Sequence, residues 1–520
     1  MQLAAICMDL LKMDLLNVPK LPSNPLFVSL ILLFTLLIWL KLAKRKHLNL
    51  PPSPPKLPII GNIHQLGKLP HRSLRDLSRN YASLLLLHLG CNPTLLVSSA
   101  DMVREILKDH DVVFSDRPSS TATNILFYGC RDMGFAPYGE YWRQLKKLSV
   151  VELLSHRRVH SFQFVRDEEV ELLINKIRRA CLKGDSINLS EMLMLVSSNI
   201  VSRCVISRRS EEEEEEEDGC CKFGQLAKRT GVLLTSFCVG DLFPYLRWVD
   251  VLTGYIPRLK ALFGELDSFF DQIIKEHTTL KTDDQVSNKD FISTIMQLQK
   301  DGMLEIDLTN IKAILLDMLV AGTDTTGAAI QWITAELLKR PNVMKKVQEE
   351  VRNVVGNKCK VDMEDINKMK YLKCVLKETL RMHPTVPLLV PRQTSASVEL
   401  GGYHIPSNIT ILINAWAIQR DPKWWENPEE FIPERFENSS IDFNGQDVQF
   451  IPFGFGRRNC PGMPFAVTVI EYVMANLLYW FDWKLPVGEI AENLDMTELY
   501  GQTVNRKNPL HVVPISHFSF

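Results

Sequence analysis

A cysteine near the C-terminal end of the chain lies in a segment whose residue types suit a metal-bound thiolate. The segment reads Phe453-Gly-Phe-Gly-Arg-Arg-Asn-Cys-Pro-Gly462. Its glycines (Gly454, Gly456 and Gly462) let the backbone turn sharply and direct N–H groups at the sulfur of Cys460. Those donors and a nearby guanidinium are expected to lower the thiol pKa, and Phe453 is expected to cover the sulfur. The segment therefore predicts that Cys460 is an axial ligand of iron.

A glycine-rich turn around an ordinary buried cysteine is the alternative interpretation. The spacing argues against it, because Phe, Gly, Arg, Cys and Gly at these offsets arise by chance in about one of ten thousand chains of this length. Apolar residues then recur at helical spacing, so the cysteine precedes a helix with one buried face: Phe465, Val469, Tyr472, Val473 and Leu477.

A long helical pattern extends from Thr309 to Lys339, and polar residues interrupt its apolar centre. The centre reads Ala321-Gly-Thr-Asp-Thr-Thr326. Propensity does not favour these residues in a buried helix. Gly322 would let a ligand approach the backbone, the Thr325 hydroxyl can hold water, and Asp324 can relay protons. A kinked core helix is the alternative.

Together these segments resemble the cytochrome P-450 superfamily of haem-thiolate monooxygenases, most closely its microsomal plant (A-type) members. The resemblance extends from about Pro51 to the C-terminus. It implies a mainly α fold, a helical haem-binding body with a minor β-sheet region. It also implies haem b bound through Cys460 and, around it, Trp142, Lys146, Arg392, Arg458, Phe453, Gly456 and Gly462, with His383 assisting. Lys146 stands where the family usually has an Arg, so the charge is kept and the bidentate fork is lost.

The resemblance also implies a buried charge network. Glu378 and Arg381 are three residues apart on a predicted helix, a spacing that by itself is typical of a surface pair. In the family they are joined by the Arg of a later motif, here Arg435 in Pro433-Glu-Arg-Phe436. Such a network has to be fully satisfied to be stable.

The substrate pocket is expected, by family position, to contain Val320, Ala321, Val386, Leu388 and Gln502, with Asp317 and the segment from Ser115 to Pro137. Breakers such as Pro118 and Gly134 predict a loop over Ser115 to Tyr138. Short strand patterns at 402–405 and 409–413 predict the minor sheet. A mostly apolar pocket indicates a lipophilic small molecule, with Gln502 available to a polar substrate group.

The N-terminal part predicts a membrane anchor. Residues 26–43 are almost wholly apolar and long enough to span a bilayer, and a basic cluster follows them. We expect a leader (1–25), a transmembrane anchor (26–43), a basic and Pro-rich hinge (44–62) and a catalytic domain (63–520). A cleaved signal peptide is the alternative. The arrangement predicts a single-pass protein of the endoplasmic reticulum membrane with a cytosolic body, whose start is Met1, Met8 or Met13.

Composition limits the possible partners. The formal net charge is −1, which offers no case for nucleic acid, and 46% hydrophobic residues support a large core. The 11 cysteines are scattered, so we expect reduced thiols. The acidic run Glu211 to Glu217 is expected to be a solvated loop.

The implied activity is insertion of one oxygen atom from O2 into a lipophilic small molecule, such as a plant specialised metabolite. The chain shows no Gly-rich dinucleotide fingerprint, so electrons are expected from NADPH through a cytochrome reductase, with cytochrome b5 as a further partner. Two alternatives remain open: a haem-thiolate isomerase or dehydratase that needs no reductase, and a non-enzymatic haem sensor.

Overall fold

The computed structural model describes residues 48–209, 223–279, 290–302 and 306–518, together with Ser29, Leu32 and Leu33. The chain divides into two compact units, Met1–Leu50 and Pro51–Phe520. The predicted leader, nearly all of the predicted anchor and the acidic run Glu211 to Glu217 lie outside the described residues. The second unit contains Cys460 and every other site residue predicted from the sequence.

Helices form most of this unit. In chain order they are α1 (Pro70–Asn80), α2 (Ala100–Glu105), α3 (Thr121–Leu126), α4 (Glu140–Leu148), α5 (His156–Ser161), α6 (Gln163–Lys183), α7 (Leu189–Ile206), α8 (Phe223–Thr235), α9 (Val239–Leu242), α10 (Arg247–Leu252), α11 (Tyr255–Thr279), α12 (Phe291–Lys300), α13 (Leu308–Lys339), α14 (Pro341–Val355), α15 (Met363–Lys368), α16 (Lys370–Met382), α17 (Ala415–Ile418) and α18 (Met463–Trp480). Two π-helical segments, Ile106–His110 and Ser149–Leu153, extend α2 and α4.

The strands are short. They are β1 (Leu84–Leu89), β2 (Asn92–Val97), β3 (Ile187–Asn188), β4 (Arg392–Gln393), β5 (Val398–Leu400), β6 (Tyr403–Ile405), β7 (Thr410–Ile413), β8 (Phe481–Lys484), β9 (Glu498–Leu499), β10 (Asn505–Arg506) and β11 (His511–Ser516). The four-stranded sheet has the order β1-β2-β7-β4, in which only β2 and β7 are parallel. The mainly helical fold with a minor sheet region is thus confirmed.

Helix α13 runs through the core, close to the bounds predicted from its apolar spacing. It begins at a capping box in which the Asp307 carboxylate accepts the Asn310 N–H, which satisfies donors that the first turn leaves free. The Ser197 hydroxyl on α7 donates to the Thr323 carbonyl at 2.9 Å, which ties the two helices together. Among the described residues, α7, α13 and α18 are apolar and long enough to cross a membrane, but their apolar windows are 78%, 67% and 61% buried inside the body. Their apolar character is therefore that of core helices.

The prediction of a loop over Ser115 to Tyr138 was wrong in part, because this segment contains α3. The Ser120 hydroxyl oxygen caps that helix by accepting the Thr123 N–H, and the Ser120 N–H donates in return to the Thr123 hydroxyl oxygen. This local capping box starts a helix in a segment where Pro and Gly suggested none. The remaining part, from Tyr128 to Tyr138, is irregular and lies against α13.

Candidate active site

The cysteine loop turns as its glycines predicted. Gly454 and Gly456 have φ angles of +75° and +62°. At Gly456 a Cβ would lie 2.3 Å from Asp111 Oδ1, so only glycine fits there. Gly462 has an ordinary φ of −81°, but a Cβ on it would lie 3.7 Å from the Cys460 sulfur. That distance is an ordinary van der Waals contact, so neither the backbone nor the thiol requires glycine at position 462.

The thiol of Cys460 faces an interior space. Its side chain is exposed, yet protein surrounds it closely enough that burial raises the pKa of the thiol. The backbone N–H groups of Gly462 and Met463 and the ammonium of Lys146 lower that pKa without reversing the effect of burial. The donors thus act in the expected direction, but without a metal ion the desolvation of the charged form outweighs them. A bound metal ion deprotonates a coordinating thiol, so the thiolate would form with the metal.

The cation nearest to Cys460 is an ammonium. Lys146 Nζ donates to the carbonyl and the side-chain oxygen of Asn459, at 2.6 and 3.0 Å. Burial lowers the pKa of Lys146 to about 8, against a raising effect of Cys460. Lys146 therefore holds α4 against the residue before the cysteine, a contact that a longer forked guanidinium would not make in the same way.

Three buried arginines lie together beside this loop: Arg117, Arg392 and Arg458, with exposures of 8%, 2% and 9%. Burial lowers the pKa of each guanidinium. Mutual repulsion adds to this for Arg117, which feels Arg458 and Arg392, and for Arg458, which feels Arg392. The pKa values of Arg392 and Arg458 fall to about 10. We call these residues the arginine cluster.

The arginine cluster is bonded mainly to backbone carbonyls. Arg458 donates to Ser115, Met133 and Ala136 carbonyls at 2.7, 3.3 and 2.6 Å. Arg117 donates to the Gly134, Val390 and Pro391 carbonyls at 2.9, 2.7 and 2.7 Å. Carbonyl oxygens carry no full charge, so these bonds satisfy donors and leave most of the positive charge in place.

Arg392 is the least satisfied member of the cluster. Its Nη2 donates to the Phe455 carbonyl at 2.6 Å, but its buried Nη1 has no hydrogen-bond partner among the described residues. The nearest carboxylate oxygen, Asp111 Oδ1, is 3.8 Å from Nη1. A ligand with two carboxylates, such as haem, fits a cluster with excess positive charge and an unused guanidinium donor.

Two residues expected to help bind the haem edge have other partners. Trp142 Nε1 donates to the Met133 carbonyl at 3.1 Å, and its ring lies 4.3 Å from the Arg458 guanidinium carbon. His383 Nε2 lies 2.5 Å from Glu336 Oε1, and its ring stacks on Trp332. Trp142 thus supports Arg458, whereas His383 belongs to a different cluster.

Phe453 contributes through its backbone and through aromatic packing. Its carbonyl accepts the Cys460 N–H at 2.8 Å. Its ring packs edge-on against Phe443, with centroids 5.5 Å apart. The residue therefore fixes the turn at the cysteine.

The polar residues at the centre of α13 have different neighbours. Thr325 Oγ1 donates to the Ala321 carbonyl at 2.8 Å, so its hydroxyl is held by its own helix. A Cβ on Gly322 would lie 3.2 Å from Val201 on α7. Close packing of α7 against α13 therefore explains Gly322, which was expected to face a ligand. Burial raises the pKa of Asp324, and Lys228 on α8 lowers it.

Gln502 lies near Asp324 although the two are far apart in sequence. A Cβ on Gly231 of α8 would lie 2.5 Å from Gln502 Oε1 and 3.8 Å from Asp324 Oδ2. Gln502 Oε1 is buried and has no hydrogen-bond partner among the described residues. An amide acceptor without a donor is costly in a protein interior, so this oxygen is available to a ligand donor.

Two carboxyl groups, of the buried Asp132 and the half-buried Asp317, join the loop around Met133 to α13. Asp317 Oδ2 accepts the Gly134 N–H at 3.1 Å, and Asp132 Oδ2 accepts the Phe135 N–H at 2.9 Å. Burial raises the pKa of Asp317 to about 6 and, together with the charge of Asp317, raises that of Asp132. The pair therefore holds a proton that isolated carboxyl groups would lose.

The predicted pocket residues do not share one environment. Ala321 is exposed and Val386 half-buried, which suits residues beside an interior space. Val320 is 4% exposed within the main core. Leu388 belongs to a small core cluster with Leu74, Leu85, Leu87 and Leu96. Its surroundings are those of a packing residue.

The structure brings together Glu378, Arg381 and Arg435. Arg381 Nε and Nη2 donate to the two oxygens of Glu378 at 2.8 and 2.9 Å, and Arg435 Nε donates to Glu378 Oε1 at 3.0 Å. Arg381 Nη1 donates to the Gln419 and Pro428 carbonyls at 2.9 and 2.8 Å. The Glu378–Arg381 pair is thus fully hydrogen-bonded, as a stable buried network requires.

Sequence reasoning missed Arg117, Asp132, Lys228 and Gly231. The Asp116-Arg117-Pro118 triplet offered a weak signal for Arg117, because a charged residue before proline in a loop between apolar segments needs a partner. No local pattern marks Lys228 or Gly231, since they reach Asp324 only through the packing of α8 on α13.

Comparison with known proteins gives one family. The sequence matches the model of the Cytochrome P-450 family over residues 51–512. Phenylacetaldehyde oxime monooxygenase CYP71AN24 of Prunus mume is 50% identical over 477 residues, which cover 91% of this chain and 90% of the relative. Cytochrome P-450 71A1 of Persea americana is 52% identical over 464 residues, covering 88% and 92%. A solved zebra fish cytochrome P-450 with progesterone has a TM-score of 0.74 and 25% identity, and covers 86% of this chain and 99% of its own.

Proposed function

The chain belongs to the cytochrome P-450 family, and on that premise we propose that it is a membrane-bound monooxygenase of a lipophilic plant metabolite. Electrons would come from NADPH through a cytochrome reductase, with cytochrome b5 as a further donor. A haem-thiolate cofactor follows from the family. The observation that carries the proposal is the arginine cluster beside Cys460, a set of buried cations that are hydrogen-bonded to backbone carbonyls and only loosely paired with carboxylates, which suits the two carboxylates of haem b.

We assign the following residues to the haem. Cys460 would supply the thiolate ligand of the iron, and the Gly462 and Met463 N–H groups would stabilise its charge. Arg392, Arg458 and Arg117 would bind the carboxylates, while Trp142, Lys146, Phe453, Gly456 and Gly462 support the loop and its arginines. When bound, haem supplies activation of O2, so that one oxygen atom enters the substrate and the other leaves as water.

Asp324 and Thr325 are proposed to take part in proton transfer. Burial raises the pKa of Asp324, which favours a carboxyl that can take up and release a proton, and Lys228 acts in the opposite direction. Thr325 donates to the Ala321 carbonyl, so its oxygen is left as an acceptor for water or substrate. Replacement of Asp324 by Asn would remove the titratable carboxyl group and keep the shape of the side chain.

The substrate site is proposed to lie between α13, the segment after α16 and the loop around Gln502. Ala321, Val320 and Val386 would supply apolar contacts, and the buried Gln502 oxygen would accept a substrate hydroxyl or amine. Leu388 would shape the site from the core beneath it. The relative named phenylacetaldehyde oxime monooxygenase is a plant protein, which supports a small plant metabolite as substrate.

An exposed apolar surface supports attachment to a bilayer. Side chains between residues 237 and 252 are unusually exposed for their type: Phe237, Tyr245, Leu246, Trp248, Val251 and Leu252. The turn between β1 and β2 links this region to the Pro-rich segment, because Cys91 N–H donates to the Leu242 carbonyl and Gly90 N–H to that of Ile60. Ile59 itself is 80% exposed. The proposed anchor (26–43) and hinge (44–62) precede this face in the chain, and such patches mark membrane contact.

The reductase is proposed to dock on the cysteine side. Arg457 and Lys147 are exposed there and can meet an acidic partner. Lys146 would not contribute, since Asn459 holds its ammonium inside. A single-pass protein in the endoplasmic reticulum membrane with a cytosolic body would present this side to a reductase in the same membrane.

The reduced, carbon monoxide-bound absorption spectrum tests the proposal. We expect the strongly red-shifted Soret band of thiolate-ligated haem from the full chain, and its loss in Cys460→His. Cys359→His, at another exposed cysteine, is the matched control and should keep the band. Absence of haem from the wild type, or identical spectra for the wild type and Cys460→His, would refute the assignment. Turnover that needs no reductase would favour an isomerase or dehydratase.

A further inference from the structure

A cavity of about 330 Å³ lies where α1, the C-terminal end of α13 and the C-terminal end of α16 meet. Most of its charged lining residues are cations: Arg72, Arg75, Lys339, Arg340 and Arg420, against the carboxylates Glu336 and Glu429. None of these residues belongs to the Cys460 site. We call this space the basic cavity.

Three of the guanidiniums are gathered around a single indole ring. The guanidinium carbons of Arg72, Arg75 and Arg420 lie 5.1, 4.9 and 4.1 Å from the ring centroid of Trp416. Trp416 is 5% exposed, so the ring is a fixed platform. Each cation is attracted to the ring, but the three cations repel one another, and one indole cannot offset that repulsion.

The acidic neighbours are already paired. Glu429 accepts a hydrogen bond from Arg75 at 2.5 Å and lies 3.3 Å from Arg420 Nε. Glu498, just outside the cavity, accepts from Arg72 at 2.8 Å and contacts His71. These two carboxylates therefore neutralise only part of the positive charge of the three guanidiniums.

The third acidic neighbour is Glu336, which contacts both Arg340 and His383. Despite this contact, the pKa of His383 lies well below its usual value, first because of burial and then because of Arg420, Arg340 and Arg72. Three guanidiniums thus act on this imidazole against the raising effect of Glu498. Burial, with repulsion from Arg381 and Arg75, also lowers the pKa of Arg420 to about 9.

Unused donors remain on the accessible side of the cavity. Within the described part of the chain, Arg72 donates only through Nε and Arg75 only through Nη2. The Arg72 side chain is 49% exposed. Lys339, half-buried at the end of α13, makes no hydrogen bond or ion pair with any described residue. Two guanidinium edges and one ammonium are therefore available to a single ligand.

We propose that the basic cavity binds a phosphate-type oxyanion through Arg72, Arg75 and Lys339. Guanidinium edges match the paired oxygens of a phosphate, and an ammonium adds a compact charge. A ligand with more than one negative charge suits this set better than a monocarboxylate, since three cations converge. The ligand can be a soluble phosphate ester or the headgroup of a phospholipid, which share this chemistry.

Titration calorimetry of the full-length haem-loaded chain in phosphatidylcholine nanodiscs tests the proposal, with inorganic pyrophosphate as probe. We expect binding that exceeds the effect of chloride at equal ionic strength. Lys339→Gln should weaken it about tenfold or more, since one charge-assisted contact is lost. Arg72→Gln should do the same.

Arg104→Gln is the matched control. Arg104 lies 4.9 Å from the ring of Trp424, pairs with Asp101 and has a side chain 49% exposed like that of Arg72, so it matches Arg72 outside the cavity. It should bind pyrophosphate like the wild type. A normal carbon monoxide spectrum for every variant keeps folding and haem binding separate from anion binding.

Phosphatidic acid in the nanodisc distinguishes the two sources of phosphate. If the membrane supplies the anion, phosphatidic acid removes pyrophosphate binding in the wild type; if it does not, binding is unchanged. Either result supports the site. The proposal is overturned if pyrophosphate does not bind beyond the chloride effect, if Lys339→Gln and Arg72→Gln bind normally, or if Arg104→Gln loses as much affinity as they do.

Discussion

Arg381 and Arg392 are equally deep in the protein, at 0% and 2% exposure, but their charges are balanced in different ways. Arg381 has two hydrogen bonds to Glu378 and further bonds to three backbone carbonyls. Arg392 donates a hydrogen bond to one backbone carbonyl, and the nearest carboxylate oxygen lies 3.8 Å away. Two other guanidiniums lie nearby. A buried charge that the protein pairs itself is costly to unpair, whereas one that it leaves without a close partner points to a ligand.

Glu378→Ala should have the largest effect. It leaves Arg381 and Arg435 without their shared carboxylate, and uncompensated buried charge costs about 3 to 5 kcal/mol. We expect a protein that fails to incorporate haem stably, measured as haem content and as the free energy of unfolding. Glu349→Ala removes an exposed carboxylate with a partner at 3.8 Å and should cost less than about 1 kcal/mol. Normal haem content in Glu378→Ala would refute the role of the network.

The same substitution at the two arginines should separate them. Arg381→Met should destabilise the apoprotein by about 3 kcal/mol or more, because Glu378 loses its main partner. Arg392→Met should change apoprotein stability by no more than about 1 kcal/mol, since it removes a repelled charge. It should nevertheless weaken haem binding by about 2 kcal/mol, because a charge-assisted bond is lost. Denaturant unfolding without haem and haem transfer to a scavenger protein measure the two quantities, and equal losses at both sites would contradict the comparison.

The neighbouring acids Asp132 and Asp317 should make the stability of the protein depend on pH. The pKa of Asp317 is raised to about 6, so the folded state keeps a proton that the unfolded state has lost. The free energy of unfolding should therefore fall as pH rises from about 4 through 6, by roughly 1 to 3 kcal/mol. Asp317→Asn should abolish most of this fall, while the exposed Asp109→Asn should keep it. If the difference in free energy of unfolding between the wild type and Asp317→Asn does not change with pH, the pair does not share a proton.

Gln502→Leu should have the smallest effect. It removes a buried oxygen without a partner and adds no charge, so stability should be unchanged or slightly higher. Affinity for ligands with a hydroxyl or amine should fall about fivefold, and affinity for hydrocarbons should not. Spectral titration with matched polar and apolar ligands measures this, with the exposed Gln446→Leu as control. Unchanged affinity for every ligand would exclude Gln502 from recognition.

Local patterns were sufficient for much of the fold. The apolar spacing from Thr309 to Lys339 predicted α13, and that after Gly462 predicted α18, because a buried helical face repeats within one element. The strands β6 and β7 followed from short alternating runs. The capping box at Ser120 was overlooked, which explains why α3 was missed.

The sequence by itself determined the cysteine loop, its glycine turns and the pairing of Glu378 with Arg381, since these depend on neighbours within one turn or one helix. Tertiary structure decided which charges remain unbalanced. Arg117 donates to the carbonyl of Pro391, which is 274 residues away in the sequence. His383 contacts Glu336 and lines the basic cavity, whereas the sequence predicted a position at the haem edge. It also decided that burial outweighs nearby donors at Cys460. Desolvation and repulsion depend on all the groups that packing brings near, and no spacing within the chain encodes them.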